Sequence, residues 1–384
     1  MKRLYGLDAL RGVAALAVVI WHWQHFYDIS GVWLKGWHYE AEPFFRMLWP
    51  LYLQGWAAVD IFFALSGYVF FWLYAGKVAA GQIPAGTFAW KRLSRLYPLH
   101  ILSLLLVVVL QAAFHARTGG HFVFPADSWQ RFGASLLLAQ QWLPPTIEQT
   151  FNGPAWTVSV EAGLYVLFFV LCRLGLCGPK TALSVAVVGV ALYPWNECIA
   201  RGMVGFFLGG LCFFIVRTVA ARKDAARWAW GFIWLTLLLW LATLIEVGRH
   251  PLYIWAEALT DYLGADDFYA EYSLGIFHQL YVFTVVPASI IALALHESVL
   301  NSGRIGGLYR FLSRFGDISY ATYMLHFPLQ IVVALIVLHF GLGTGVFEHD
   351  LTLIAFYVVL IALGAVVWRY FELPVQQRLR QIHK

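Results

Sequence analysis

The stretch LDALRGVAALAVVIWHW, residues 7–23, is apolar enough to begin a membrane span, yet it carries Asp8, Arg11 and His22. A spanning helix needs about 20 mostly apolar residues. At about 100° per residue, Asp8, Arg11, Ala15 and His22 fall on one helix face, at offsets of 0, 3, 7 and 14. Ionisable groups at membrane depth face protein or water rather than lipid, so this stripe points into a bundle. His22 stands eleven residues past Arg11, about 16 Å deeper at 1.5 Å rise per residue. Asp8 and Arg11 interrupt the start of the run and no small-residue cleavage site follows. The stretch therefore reads as a retained first helix with a cytoplasmic N-terminus, not a secretory signal.

The rest of the chain agrees with that reading. Of 384 residues, 61% are hydrophobic and 12% charged, against roughly 45–50% and 25% in a soluble domain, which excludes a soluble globular fold. Spans are expected near 8–27, 57–75, 97–115, 162–177, 181–195, 202–217, 228–246, 275–295, 318–340 and 351–371. The segment 131–143 is shorter and reads as re-entrant or interfacial. The loop 76–96 carries Lys77, Lys91, Arg92 and Arg95 without an acid, and 218–227 carries Arg222, Lys223 and Arg227 against Asp224. Both belong in the cytosol, as does the tail with Arg378, Arg380 and Lys384. The loop 247–274, with Glu257, Asp261, Asp266, Asp267 and Glu271 against Arg249, belongs outside. The expectation is an all-α, polytopic membrane bundle of about ten helices with both termini cytoplasmic, forming one domain over 1–384. A net charge of +5 without a dense lysine-arginine stripe does not indicate nucleic acid. Cys172, Cys177, Cys198 and Cys212 lie in or beside apolar runs without metal-ligand spacing, so no metal site is expected.

With no large soluble region, any chemistry falls to the polar residues of the helices and short loops. His22 suits general-base activation of a hydroxyl, although a histidine bonded to a neighbouring helix is the plain alternative. Asp60, in VDIFFALSGY (59–68), is costly alone and reads as a strut paired with a cation or as a cavity residue; Ser66-Gly67 beside it permits close helix approach. Arg92 and Arg95, three apart in AWKRLSRLYP (89–98), can hold phosphate, or can simply collect at a cytoplasmic interface. In WTVSVEAGLY (156–165), Glu161 could open a helix at its positive end, orient the histidine or bind an acceptor hydroxyl. ISYATYMLHFPL (318–329) sets Ser319, Tyr323 and His326 along one face. Trp33, Trp37, Trp49 and Trp56 suit either sugar stacking or interfacial anchoring.

Taken together and in order, these motifs and the closing YFELP (370–374) resemble membrane acyltransferase family 3, from about residue 5 to 374. The resemblance implies about ten helices that transfer an acyl group, commonly acetyl, from cytosolic acyl-CoA to an acceptor hydroxyl. No permanently bound cofactor is implied. His22 matches the family's catalytic base, Arg92 and Arg95 its acyl-donor arginines, and Arg11 its first-helix arginine. Trp156, Ser159 and Glu161 match its tryptophan-serine-glutamate motif, and Tyr323 and His326 its late tyrosine-histidine helix. Where the family often has a second glutamate, this chain has Ala162. The chain stops ten residues after Pro374, so no fused SGNH-type domain is expected; transfer occurs in the bundle or is finished by a separate extracytoplasmic partner.

The implied reading is an O-acyltransferase of the bacterial inner membrane acting on a carbohydrate or lipid-linked glycan, alone or as a homodimer. Catalytic roles fall to His22 and Glu161, donor binding to Arg11, Arg92 and Arg95, and the acceptor cavity to Asp60, Trp156, Ser159, Tyr323 and His326. The rival is a transporter or flippase for a lipid-linked sugar, which Asp60, Glu161 and His326 would also suit, but which lacks the expected internal repeat.

Overall fold

The computed structural model describes residues 3–382 apart from 35, 143–148, 264–276 and 301–302. Its helices are α1 (Tyr5–Trp21), α2 (Phe45–Gln54), α3 (Ala58–Phe70), α4 (Gly76–Ala79), α5 (Ala85–Thr118), α6 (Trp129–Leu136), α7 (Trp156–Arg173), α8 (Pro179–Ala191), α9 (Glu197–Ala220), α10 (Ala225–Arg249), α11 (Pro251–Leu263), α12 (Val286–Leu295), α13 (Gly303–His339), α14 (Asp350–Val367) and α15 (Leu373–Ile382). The strands among the described residues are a two-residue antiparallel pair, β1 (Asp28–Ile29) and β2 (Val32–Trp33). This is an all-α polytopic membrane bundle.

Among the described residues, nine helical spans are long and apolar enough to cross a bilayer. The tenth expected span, 181–195, is α8, whose 13 residues make about 20 Å of helix against a hydrocarbon core of about 30 Å. Its buried residues, Ala182, Ala186 and Gly189, form a small-residue stripe against α9. With α8 counted, the described residues make ten passes, which returns α15 to the end where α1 begins. There Trp90 Nε1 donates to Leu379 O at 2.6 Å, and Glu372 lies within electrostatic reach of Arg95 and Arg11.

Several expected boundaries move. Arg92 and Arg95 are not in a loop but in the first turns of α5, which starts at Ala85 behind Pro84. The acidic segment 247–274 is helical as far as Leu263, and Asp266, Asp267 and Glu271 lie outside the described residues. The helix expected from 162 begins at Trp156, directly after a 3-10 turn started by Gly153-Pro154. The segment 131–143 holds α6, eight residues long and too short to span.

Two helix pairs set the bundle's geometry. Glycines on α9 and α3 bring the two helices backbone to backbone: a Cβ on Gly209 would stand 1.9 Å from Ala64 O, and one on Gly67 1.7 Å from Phe206 O. Such small-residue faces let membrane helices gain dispersion contacts where no hydrophobic force acts between them. The second pair, α1 and α13, runs parallel. Arg11 bonds Gly316 O, His22 bonds His326, and His25 bonds Gln330, a nearly constant sequence offset of 305, 304 and 305. Their closest approach is at Gly12 and Gly316, where a Cβ on Gly316 would lie 2.1 Å from Asp8 O. The stripe of Asp8, Arg11, Ala15 and His22 is the face that meets α13.

Candidate functional site

At its C-terminal end α1 does not continue as an α-helix. It stops at Trp21, and His22 opens a 3-10 turn to Tyr27 that buries all six of its residues. On α13, Pro328 has no N–H for the carbonyl of Met324, and Asn152 Nδ2 donates to that carbonyl instead, at 3.2 Å. Next to this break stands His326, fully buried.

The hydrogen bonds there form a chain with a direction. His326 Nδ1 lies 2.5 Å from Tyr323 O, and a carbonyl only accepts, so that nitrogen carries the proton. In the neutral ring Nε2 is then an acceptor, and His22 Nδ1 stands 3.0 Å from it and donates. The pattern assigns the second proton-free nitrogen, His22 Nε2, a lone pair. Gln330 fixes the turn from behind: its Nε2 donates to His22 O at 2.7 Å, and its Oε1 accepts from His25 Nδ1 at 3.1 Å.

Below Tyr323, toward the end holding both described termini, a cavity of about 140 Å³ opens between α1, α3, α5, α7 and α13. Arg11, Arg92 and Arg95 reach it from two helices, with Asp8, Ser66, Glu161, Tyr165, Ser319, Tyr320 and Tyr323. Arg92 is clamped by aromatics: Nη2 donates to Tyr74 OH at 2.6 Å, and the guanidinium lies 4.6 Å from the Tyr74 ring centre and 5.0 Å from that of Phe70. Its buried Nε has no partner. Arg95 is within electrostatic reach of Glu161, Tyr165, Tyr320 and Glu372. Glu161 lies in the second turn of α7, so it does not open that helix. Its carboxylate accepts from Ser66 OH at 2.7 Å and from Tyr165 OH.

The other expected cavity residues stand elsewhere. Asp60, fully buried, pairs with Arg201 at 3.0 Å and His278 Nε2 at 2.9 Å, an internal strut between α3, α9 and the span beginning at 277. Trp156 lies under the Arg201 guanidinium, 5.4 Å away, and opposite Phe63. Ser159 donates to Leu138 O at 2.7 Å and accepts from Gln141 N, pinning the chain after α6. His326 and His22 form the buried pair on the far side of Tyr323, outside the cavity wall. Tyr323 joins the two regions, since its ring lines the cavity and its carbonyl begins the histidine chain.

Sequence reading missed Arg201, His278, Tyr165, Gln330 and Tyr74. Arg201, in ECIARGMVGF, lies one turn into its helix and was a legible partner for Asp60; the others carry no local signal. Of Trp33, Trp37, Trp49 and Trp56, the first two stack at 4.6 Å in the loop between α1 and α2. Trp49 packs near Gly248, and Trp56 lies under Arg201. No group of three or more potential metal-ligating side chains occurs among the described residues.

Comparison with known proteins gives the same picture. An acyltransferase domain family matches residues 4–370. The chain is 27% identical over 357 residues to acyltransferase MdmB of Streptomyces mycarofaciens, covering 85% of this chain and 78% of that protein. It is 32% identical over 203 residues to protein 2 in the picA locus of Rhizobium radiobacter, covering 50% of this chain and 93% of that protein. No solved structure matches.

Proposed function

The chain belongs to acyltransferase family 3, and from that premise we propose that it moves an acyl group, commonly acetyl, from cytosolic acyl-CoA to a hydroxyl of a carbohydrate or lipid-linked glycan. The observation that carries this reading is the convergence of Arg11, Arg92 and Arg95 on one cavity whose far wall, Tyr323, backs onto His22 and His326. Guanidiniums favour phosphate through forked, charge-assisted hydrogen bonds. A cavity of about 140 Å³ has room for the thioester end of such a donor, with its phosphates at the arginine mouth.

In this mechanism the acceptor oxygen attacks the thioester carbonyl carbon while His22 Nε2 takes the hydroxyl proton. The tetrahedral centre collapses with cleavage of the C–S bond, and the departing thiolate receives the proton from His22. His326 positions the base by holding its Nδ1 proton. Glu161, braced by Ser66 and Tyr165, faces the donor arginines instead of the imidazole. An acyl-enzyme on Ser159 is disfavoured, because its hydroxyl is fully buried and already bonded to Leu138 O. The same reading places the protein in a bacterial cytoplasmic membrane with both chain ends in the cytosol, in keeping with relatives from Streptomyces and Rhizobium.

The test is release of free CoA thiol from acetyl-CoA and longer acyl-CoAs by purified protein in nanodiscs, with and without a lipid-glycan extract. Release that rises with the extract and is lost in His22→Ala and Arg92→Ala supports the proposal. Undiminished release by a correctly inserted His22→Ala removes the assignment of the base, and no release from any acyl-CoA by folded protein removes the donor.

A further inference from the structure

A second cleft, of about 580 Å³, opens at the same end of the bundle but on the other side of α1 and α3. Arg3, Arg217 and Arg310 line it, with Trp72 and Tyr309. Its cations are unequally committed. Arg3 is paired with Asp8 and Asp317. Arg217 lies against the rings of Phe213 and Phe214, at 5.6 and 5.3 Å, and Arg310 bonds Gly306 O through Nε at 3.2 Å. No ion pair with a described carboxylate occurs for Arg217 or Arg310. The acid on this wall, Glu297, accepts from the backbone N–H groups of Tyr5 and Gly6 at 3.0 and 2.7 Å.

An apolar groove of about 330 Å³ adjoins the cleft, with His296 and Tyr309 in the walls of both, and runs between α10 and α12 past Trp230, Ile233, Leu237 and Leu293. Helix α10 is the lipid-facing wall and buries only Ala225, Ala229, Glu246 and Val247. From Trp230 to Trp240, both on the groove, the helix rises about 15 Å, half of a hydrocarbon core of about 30 Å. A cationic mouth at one end of the bundle thus leads into an apolar channel as long as one leaflet.

We propose that this cleft and groove hold an acidic phospholipid of the leaflet at the arginine end, its phosphate on Arg217 and Arg310 and one acyl chain along α10. The charge of the mouth selects the headgroup, and the length of the groove matches the chain. This inference does not depend on the acyl donor or acceptor.

Native mass spectrometry of the full chain, loaded with phosphatidylglycerol or phosphatidylcholine of identical chains, tests it. The intact protein should retain one phosphatidylglycerol with a preference of about thirtyfold over phosphatidylcholine, as two surface cations supply. The double variant Arg217→Gln/Arg310→Gln should bind both lipids equally, and Thr236→Trp, which fills the groove from lipid-facing α10, should retain less of either. Helicity and monodispersity confirm that each variant is folded. Equal retention of the two lipids by the intact protein overturns the proposal, as does an unchanged preference in the double variant or unchanged retention by Thr236→Trp. Displacement of the lipid by glycerol 3-phosphate alone would overturn the groove and leave only a phosphate site.

Discussion

His22 Nδ1 lies 3.0 Å from His326 Nε2, and the next nitrogen of that second ring lies 2.5 Å from Tyr323 O. Two partners hold the His22 ring, His326, 304 positions away in sequence, and the backbone of Val18, four positions back, and both are consistent with a bare Nε2. Orientation of one imidazole by a second hydrogen-bonding group is a common way to hold a base.

The roles proposed for His22 and His326 are separable by substitution. His22→Ala removes the base itself, and acyl transfer should fall by about 10²–10⁴-fold. His326→Ala keeps the base but frees its tautomer, so the fall should be smaller and should appear in kcat more than in KM for the acyl donor. His326→Gln, which can accept from His22 Nδ1, should recover part of the loss. The check is steady-state CoA-thiol release at varied acyl-CoA, and equal losses for His326→Ala and His326→Gln would deny the positioning role.

Asp60 is predicted to matter for stability. Its carboxylate is fully buried between Arg201 and His278, and Asp60→Ala leaves the buried guanidinium with only the exposed Glu197 carboxylate, 3.7 Å away, at a cost of about 3–5 kcal/mol. The double variant Asp60→Ala/Arg201→Met should recover much of that, because no unpaired charge remains. Thermal unfolding in detergent checks the pair, and additive losses would show that the two side chains do not act as a unit.

The glycine contacts between α3 and α9 should tolerate no side chain. Gly209→Ala places a Cβ 1.9 Å from Ala64 O, backbone that cannot swing aside, and should destabilise by about 1–3 kcal/mol. Gly231→Ala, where a Cβ meets nothing, is the matched control on α10 and should be neutral or slightly stabilising. The comparison is again read in unfolding temperature.

Outside the spans, Glu42 gives a pH signature. Burial, together with the nearby Glu348, pushes its carboxyl up to about 8, against the opposing hydrogen bond from Trp37 Nε1 at 3.0 Å. The folded form therefore holds a proton that the unfolded chain releases near its ordinary value of 4.5. The associated stability is full below pH 4.5 and is lost as pH rises through about 8. Glu42→Gln should flatten that decline, making the variant the more stable protein at pH 8. Parallel unfolding-temperature profiles for the two proteins from pH 4 to 9 would deny the linkage.

The sequence alone determined the class of fold, because an apolar excess of this size has no soluble solution and the lipid requirement for internally satisfied backbone leaves helices as the economical one. It also determined the face of α1 that meets protein, since a helical period of 3.6 puts Asp8, Arg11 and His22 on one side whatever they pack against. The spacing of Arg92 and Arg95 likewise put both on one cavity, even though they stand on a helix and not in a loop. Tertiary structure decided the rest. From sequence Glu161 reads as a helix opener, as a partner of the histidine or as a group that binds the acceptor hydroxyl, but α7 starts at Trp156, five residues before it, behind the turn begun by Gly153-Pro154, and its partners Ser66 and Tyr165 reach it through packing. Ser159 and Trp156 share a motif with Glu161 yet point to different neighbours, because successive helix positions diverge by about 100°. Which histidine nitrogen is left bare depends on His326 and on the carbonyl of Tyr323. That contact exists only because glycines at 12 and 316 let two helices far apart in sequence lie side by side in parallel.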